Sequence, residues 1–394
     1  MTATAKPIRL LIDGREASIT NRVGSNIYAF EILKALEKLT RDHPDRWQVT
    51  VALTGPPLAD LPSERLGWEY RLIGPTKFWT QWALPLHLFK YRNRYDITFT
   101  PSHYGPRLSP LPSVVTVFDL AFLTFQDQFR WQDRLQLKHW TDYSVRQAAR
   151  VITISEFSAK KIQAVYRLPA QKIVVAPPAV TKPKISSSQI KLPTKNPYLL
   201  YLGTIQPRKN IDQIIAGFDQ LKRQLENGSL KLSAARYKKY AELKLIIAGK
   251  IGWLAASIEK AVNDSAYKDD IILTGFVDEA TKWALLERAE ATLNLGSEEG
   301  FGIPVLESLA AGTLPIVASD SSLTEPAGRA GLIVKSGSSY SLSQALKKVL
   351  NQTSRTQALF NKQRQNQLAK FSWEESAQQI LTSLELVVTK ANQS

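Results

Sequence analysis

The chain has no cysteine and a single methionine among its 394 residues. Disulfides, thiolate nucleophiles and cysteine-ligated zinc or iron–sulfur centres are thereby excluded. Histidine is nearly as scarce. The four, His43, His87, His103 and His139, are scattered without ligand-like spacing. No apolar run reaches the roughly 18 residues that a membrane span needs. The opening MTATAKPIRLLIDGRE is broken by Asp13 and reads as neither a secretory signal nor a lipid-crossing helix. Glycine (19) and proline (21) are too few for a fibrous or low-complexity chain. What is there is an ordinary globular composition, 44% hydrophobic and 22% charged, of a length that suits two domains.

Acidic residues are also in short supply: 35 against 51 basic ones, a formal charge of +16. The imbalance is concentrated in residues 1–184, which carry 26 basic and 15 acidic side chains. Such a half suits nucleic acid, an anionic membrane surface or phosphorylated substrates, and solubility alone is the plainer explanation. No RNA- or DNA-binding motif accompanies the charge, so nucleic acid is not expected as a partner.

Short β-branched runs alternate with helical patterns. In the first half the strand candidates are residues 8–13, 47–53, 95–100, 113–120, 150–155 and 172–177, with helical periods at 25–39, 77–93, 127–150 and 156–166. The second half repeats the scheme with runs at 198–203, 243–249, 270–276, 291–296, 314–319 and 331–334. Continuous apolar runs bounded by turn residues read as strands buried on both faces. Their alternation with helices implies βαβ units and parallel sheets, an α/β fold. The polar stretch TKPKISSSQIKLPTKNP (181–197) reads as an interdomain linker, and the chain closes on a helical pattern, WEESAQQILTSLELVVTK (373–390).

Three loops carry chemistry. In Glu298-Glu299-Gly300-Phe301-Gly302-Ile303-Pro304-Val305-Leu306-Glu307, a strand end passes a Gly-x-Gly loop and opens a helix, with Pro304 suited to the first helical position. Glycine lets backbone approach a ligand, and a helix N-terminus favours an anion such as pyrophosphate. Glu299 and Glu307 would flank that site and accept hydrogen bonds from sugar hydroxyls; otherwise Glu307 complements the helix dipole and Glu299 faces water. In Gly203-Thr204-Ile205-Gln206-Pro207-Arg208-Lys209-Asn210-Ile211-Asp212, Asn210 reads as an N-cap. Two cations just ahead of a helix oppose its dipole, so Arg208 and Lys209 either ask for a diphosphate or are solvated. In Asn21-Arg22-Val23-Gly24-Ser25-Asn26, a lone glycine joins the first strand to the first helix, where an ordinary turn capped by Ser25 is the simpler reading.

Taken in order, the glycine turn, the strand end TVFDLAF (116–122), the junction SEFS (155–158), GTIQPRKN (203–210) and the E-x7-E pair followed by AAG (310–312) resemble the retaining glycosyltransferases of family 4. The likeness is to their mannosyltransferase-type branch and runs from about residue 8 past residue 350. It implies the GT-B fold: two facing Rossmann-like domains with parallel sheets, at 1–185 and 186–372, and a C-terminal helix, 373–394, packing back on the first. It implies transfer of a hexose, with mannose from GDP-mannose the first guess, to a glycan or lipid-linked acceptor, without cofactor or metal. Carried over by residue, Glu307 would hold the donor ribose, and Glu299 the transferred sugar beside the backbone of Phe301, Gly302 and Ile303. Arg208 and Lys209 would grip the diphosphate, and Gly24 would bring first-domain backbone to it. A cytoplasmic protein is implied, peripheral to the inner face of the membrane. The alternative is a non-catalytic member that binds nucleotide sugar or glycan without turnover.

Several positions depart from the family pattern. Phe118 stands where many relatives have a histidine before Asp119; His103, at the end of the preceding strand, either points into the same cleft or is a loop histidine with no role. Leu295-Gly296-Ser297-Glu298 replaces a Pro-Ser-aromatic run, and Thr324-Glu325-Pro326 replaces Pro-Glu-Val. The segment from Lys77 to Arg94, rich in aromatic and cationic residues, reads as core or cleft lining on one account and as membrane-interface contact on the other.

Overall fold

A computed structural model describes residues 6–124, 131–183, 190–252 and 256–393. The chain divides into one unit of residues 1–178 with 371–394 and a second of residues 179–370.

The first unit holds a seven-stranded sheet. Its strands are β1 (Ile8–Asp13), β2 (Trp47–Leu53), β3 (Trp68–Leu72), β4 (Ile97–Thr100), β5 (Ser113–Thr116), β6 (Arg150–Thr153) and β7 (Ile173–Val175). They are ordered β3-β2-β1-β4-β5-β6-β7, every pair parallel. Leu10, Leu11, Ile12, Val51, Phe99, Val114 and Val151 are buried, as expected of strands covered on both faces. β3 was not expected. Its Glu69 and Arg71 interrupt the apolar pattern because it is the edge strand. The last helix, Trp373–Gln393, lies against the first, Ser25–Thr40. Trp373 meets the Tyr28 ring edge-on at 5.8 Å, and Ser376 donates to the Pro177 carbonyl at 2.6 Å.

The second unit holds a six-stranded sheet of β8 (Tyr198–Leu202), β9 (Lys244–Ala248), β10 (Ile271–Gly275), β11 (Ala291–Asn294), β12 (Pro315–Ala318) and β13 (Leu332–Val334). The order is β10-β9-β8-β11-β12-β13, again wholly parallel. The helix Ile211–Glu226 covers one face with Ile211, Ile214, Phe218 and Leu221, all fully buried. Of the presumed linker, residues 184–189 lie outside the described ones. Leu192 packs on the core of this unit and Asn196 donates to Glu242 at 2.8 Å. The helical pattern expected to start at Asp127 likewise begins outside the described residues and continues as the helix Trp131–Gln147.

Both sheets reverse direction once, between β1 and β4 and between β8 and β11. In such sheets ligands bind outside the carboxyl ends of the strands at the reversal. Two glycines make the second crevice possible. Gly203 and Gly249, at the ends of β8 and β9, have φ of +151° and +149°, and a Cβ on Gly249 would overlap the Gly203 carbonyl. Gly249→Ala is therefore expected to lower unfolding stability by about 3 kcal/mol. Gly55→Ala, whose added methyl meets nothing within 4 Å, should stay within about 0.5 kcal/mol of wild type. Urea unfolding of the two variants checks this, and equal midpoints would refute it.

Candidate functional site

The loops that follow β8 and β11 are neighbours because their strands are. Three hydrogen bonds clip them together: Arg208 Nη1 to the Glu298 carbonyl at 2.8 Å, Asn210 Nδ2 to the Leu295 carbonyl at 2.7 Å, and Ser297 N to the Arg208 carbonyl at 3.3 Å. Ile205 keeps the β8 loop attached to the β9 side by accepting from Gly252 N at 3.0 Å. From the far side Ser322 donates to the Glu299 carbonyl at 2.6 Å. Both loops are thus held through backbone carbonyls, which accept from side chains and from backbone amides alike.

Within this frame Lys209 Nζ is hydrogen-bonded to Glu299 Oε1, and Arg208 Nη1 stands 3.6 Å from Oε2. The Glu299 side chain is only 16% exposed. Burial alone pushes its carboxyl up, but Lys209 and then Arg208 outweigh it and hold the group below the ordinary glutamate range. Gly296 leaves room for this arrangement, since a Cβ there would run into the Glu299 carboxylate. Neither Glu299 nor the two cations are solvated, so that simpler reading is corrected: the loops press the charges together.

Glu307 lies in the helix Ile303–Ala311, past its first turn and 8% exposed. It is not a dipole-complementing surface acid. Lys282, on the helix Glu279–Arg288, donates to Glu307 Oε1 at 2.7 Å and contacts Glu279 at 2.8 Å. Burial pushes the lysine down, and Glu307 and Glu279 more than restore it, so it stays firmly charged. The sequence held no local signal for Lys282, which stands 25 residues before its partner.

Helix starts differ from expectation in three places. Gly302, at φ +107°, occupies the N-cap, so Pro304 is the second helical residue. A Cβ on Gly302 would come within 2.5 Å of Leu323, and Phe301 beside it is buried. Asn210 sits at the N-cap of its helix in the left-handed region, φ +54°, and its side chain caps nothing; the amide bridges to Leu295 instead. Ser25 is the first residue of its helix rather than its cap, a place taken by Gly24 at φ +50°.

The site residues therefore divide. Arg208, Lys209, Glu299, Phe301, Gly302, Ile303 and Glu307 gather in the second unit around the start of one helix. Gly24 belongs to the first unit, exposed at the end of the loop from β1. His103 lies beyond β4, its ring stacked at 6.3 Å on Phe118, with Nε2 buried and without a partner. Among the described residues no three His, Asp or Glu gather in a way that could hold a metal ion.

Comparison with known proteins follows the same division. Residues 24–182 match Glycosyltransferase Family 4 and residues 184–367 match Glycosyl transferases group 1. The chain is a GT-B glycosyltransferase. O-antigen chain mannosyltransferase B of Escherichia coli is 27% identical to it over 330 residues, 81% of this chain and 79% of the relative. Among solved structures, sucrose-phosphate synthase from Thermosynechococcus elongatus shares the fold with a TM-score of 0.72 at 18% identity, covering 98% of this chain and 100% of that one. HepE from Anabaena, solved in complex with UDP-glucose, gives a TM-score of 0.65 at 14% identity, with 96% and 99% covered.

The acid sensitivity of this glycosyltransferase should report on the Glu299 cluster. A carboxyl held below its ordinary value of 4.5 adds stability above that pH, and this is lost as pH falls through the depressed value. Lys209→Met leaves Glu299 with Arg208 as its remaining cationic partner here. It should cost about 1–3 kcal/mol at neutral pH and move acid unfolding to higher pH. Superimposable acid-unfolding curves for variant and wild type would contradict the assignment.

Proposed function

We propose that the chain is a retaining hexosyltransferase, independent of metal and cofactor, that moves mannose from GDP-mannose to a glycan or lipid-linked acceptor in the cytoplasm. One observation supports the donor site: ahead of one helix Glu299 meets Arg208 and Lys209 across the strand-order reversal, and past that helix's first turn the buried Glu307 is paired with Lys282. The 27% identity to an O-antigen mannosyltransferase over most of both chains supports the choice of mannose and of a polysaccharide acceptor.

In this reading Glu307 accepts hydrogen bonds from the donor ribose, with Lys282 fixing one of its oxygens. Arg208 and Lys209 bind the diphosphate, Arg208 by its fork and Lys209 as a point charge. Their contact with Glu299 is shared once phosphate arrives, which leaves the carboxylate to accept from hydroxyls of the sugar. The backbone of Phe301, Gly302 and Ile303 lies beside that sugar, at a helix start whose N–H groups favour an anion. Gly24 has open space where a side chain would be, and so allows close backbone approach to phosphate.

Transfer then breaks the bond between the sugar's anomeric carbon and the diphosphate oxygen. A bond to the acceptor oxygen forms on the same face, so configuration is retained. The acceptor hydroxyl gives its proton to the departing phosphate oxygen, and nucleoside diphosphate leaves. The chain's own contribution is positioning, together with stabilisation of the charge that grows on the diphosphate.

A thermal-shift panel of GDP, UDP and ADP, each with its sugar conjugates, tests the donor site. A ligand at 100-fold its dissociation constant should stabilise the protein by about 2.7 kcal/mol. The guanosine series is expected to act on wild type. Glu307→Ala should weaken it about 10–100-fold, the worth of hydrogen bonds to a charged group. Absence of a shift with every nucleotide would overturn the donor site, and a shift confined to UDP or ADP would overturn the choice of base.

A further inference from the structure

The segment that follows β3 in the first unit has two apolar faces. Its backbone leaves the strand, passes Phe78 in the left-handed region at φ +57°, makes a wide turn over Trp79–Ala83 and continues as the helix Leu84–Lys90. One face belongs to the core. Trp79, Ala83, Leu84 and Leu88 pack with Leu11, Ala52 and Tyr95, and Trp79 Nε1 donates to Asp13 at 2.9 Å. The opposite face carries Phe78, Trp82, Leu86 and Phe89, which are 57%, 63%, 62% and 49% exposed. Leu86 and Phe89, three residues apart, share one side of the α-helix, with Trp82 in the wide turn before it and Phe78 at its entry. Four large apolar side chains in a row exceed the scattered exposure that is normal on a monomer.

The charge around the stripe is predominantly positive, with Glu69, 3.4 Å from Arg71, the acidic exception beside it. From Tyr70 to Tyr95 there are five cations, Arg71, Lys77, Lys90, Arg92 and Arg94, and no acidic residue. The cations crowd the helix: Lys90 and Arg94 each stand over the Tyr91 ring, at 5.4 and 5.2 Å, and Lys77 over Phe78 at 5.3 Å. The field is felt at half-buried His87 in the middle of the helix. Burial first, then Arg71, Arg94 and Lys90, push it down to about 4. So many like charges disfavour a second copy of the same face. They call for a partner that is both apolar and anionic.

We infer that Phe78, Trp82, Leu86, Phe89 and the flanking cations form a docking surface for an anionic lipid bilayer. The indole and phenyl rings would sit at the boundary between headgroups and acyl chains, where Trp is favoured. The lysines and arginines lie at headgroup depth, where each is attracted to anionic lipid. The buried face anchors the helix, so docking requires no unfolding of the unit. Such a surface would bring the first unit to where a lipid-linked acceptor is embedded. That last step rests on the proposed acceptor; the docking surface itself does not.

Flotation of the full chain with vesicles tests the inference in the absence of donor and acceptor. Its outcome is therefore independent of the nucleotide panel. Wild type should float with vesicles of phosphatidylcholine and phosphatidylglycerol, should be released by salt, and should not float with phosphatidylcholine alone. The double variant Trp82→Ser with Leu86→Ser should bind at least about tenfold more weakly. Lys90→Ala with Arg94→Ala should bind about thirtyfold more weakly. All four residues have exposed side chains, so melting temperatures should match wild type. Leu359→Ser, 54% exposed on the second unit, should float like wild type. Failure of wild type to float, or flotation that survives both double variants, would overturn the inference. So would patch-dependent dimerisation in light scattering, or patch-dependent binding of a single-stranded oligonucleotide, in place of vesicle binding.

Discussion

The candidate site of the second unit depends on the pairing of β8 with β11, two strands separated by nearly a hundred residues and joined as parallel neighbours at the reversal of the second sheet. Because a parallel sheet points all its carboxyl ends the same way, that one pairing delivers the Arg208-Lys209 loop and the Glu299 loop to the same place. The three hydrogen bonds between the loops only make sense once the strands are adjacent. A site of the same composition built on strands two places apart would leave its cations and carboxylates beyond reach of one another. Topology comes first here, and electrostatics acts on what topology has placed.

Those electrostatics follow one rule applied twice. A carboxylate nearly out of water is costly, and the chain offsets the cost with a lysine at hydrogen-bond distance: Lys209 for Glu299 and Lys282 for Glu307. Removing Lys282 takes from the buried Glu307 its lysine, and removing Lys209 leaves Glu299 with Arg208 alone, so such pairs are better understood as positioning devices than as sources of stability. Each lysine also fixes which carboxylate oxygen it takes, Oε1 in both cases. The sites differ in one respect. Glu299 is met by two cations of one loop, whereas Lys282 is itself shared between Glu307 and Glu279.

How much of this was legible in the sequence varies with the physics of each element. β1 and β2 are read to the residue, because IRLLID and WQVTVAL are apolar runs cut off by turns. β3 is not, because an edge strand with one open side needs no such run, and WEYRL carries charge where inner strands carry valine. The motif residues Arg208, Lys209, Glu299 and Glu307 stand out by spacing, yet their pairing does not. Whether a loop lysine meets water or a carboxylate 90 residues away is decided by strand order. Lys282 is invisible for the same reason. Asn210 does hold the N-cap position, but its amide serves the neighbouring loop instead of the helix, from a left-handed backbone.

The first unit uses its own reversal differently. At the carboxyl end of β1 the buried Asp13 carboxylate is taken by the Trp79 indole and by the Arg15 amide, and burial pushes its pKa up despite them. Part of the corresponding crevice is therefore filled by the chain itself, with the root of the helix whose other face carries the exposed aromatic stripe. A helix with two apolar faces slides or rolls unless something polar fixes its rotation, since apolar contacts alone are non-directional. The Trp79–Asp13 hydrogen bond is directional and buried. With it in place, Trp79 cannot turn outward, and Trp82 and Leu86 cannot turn inward. The sheet that shapes the first unit thus also determines which side of this helix faces outward.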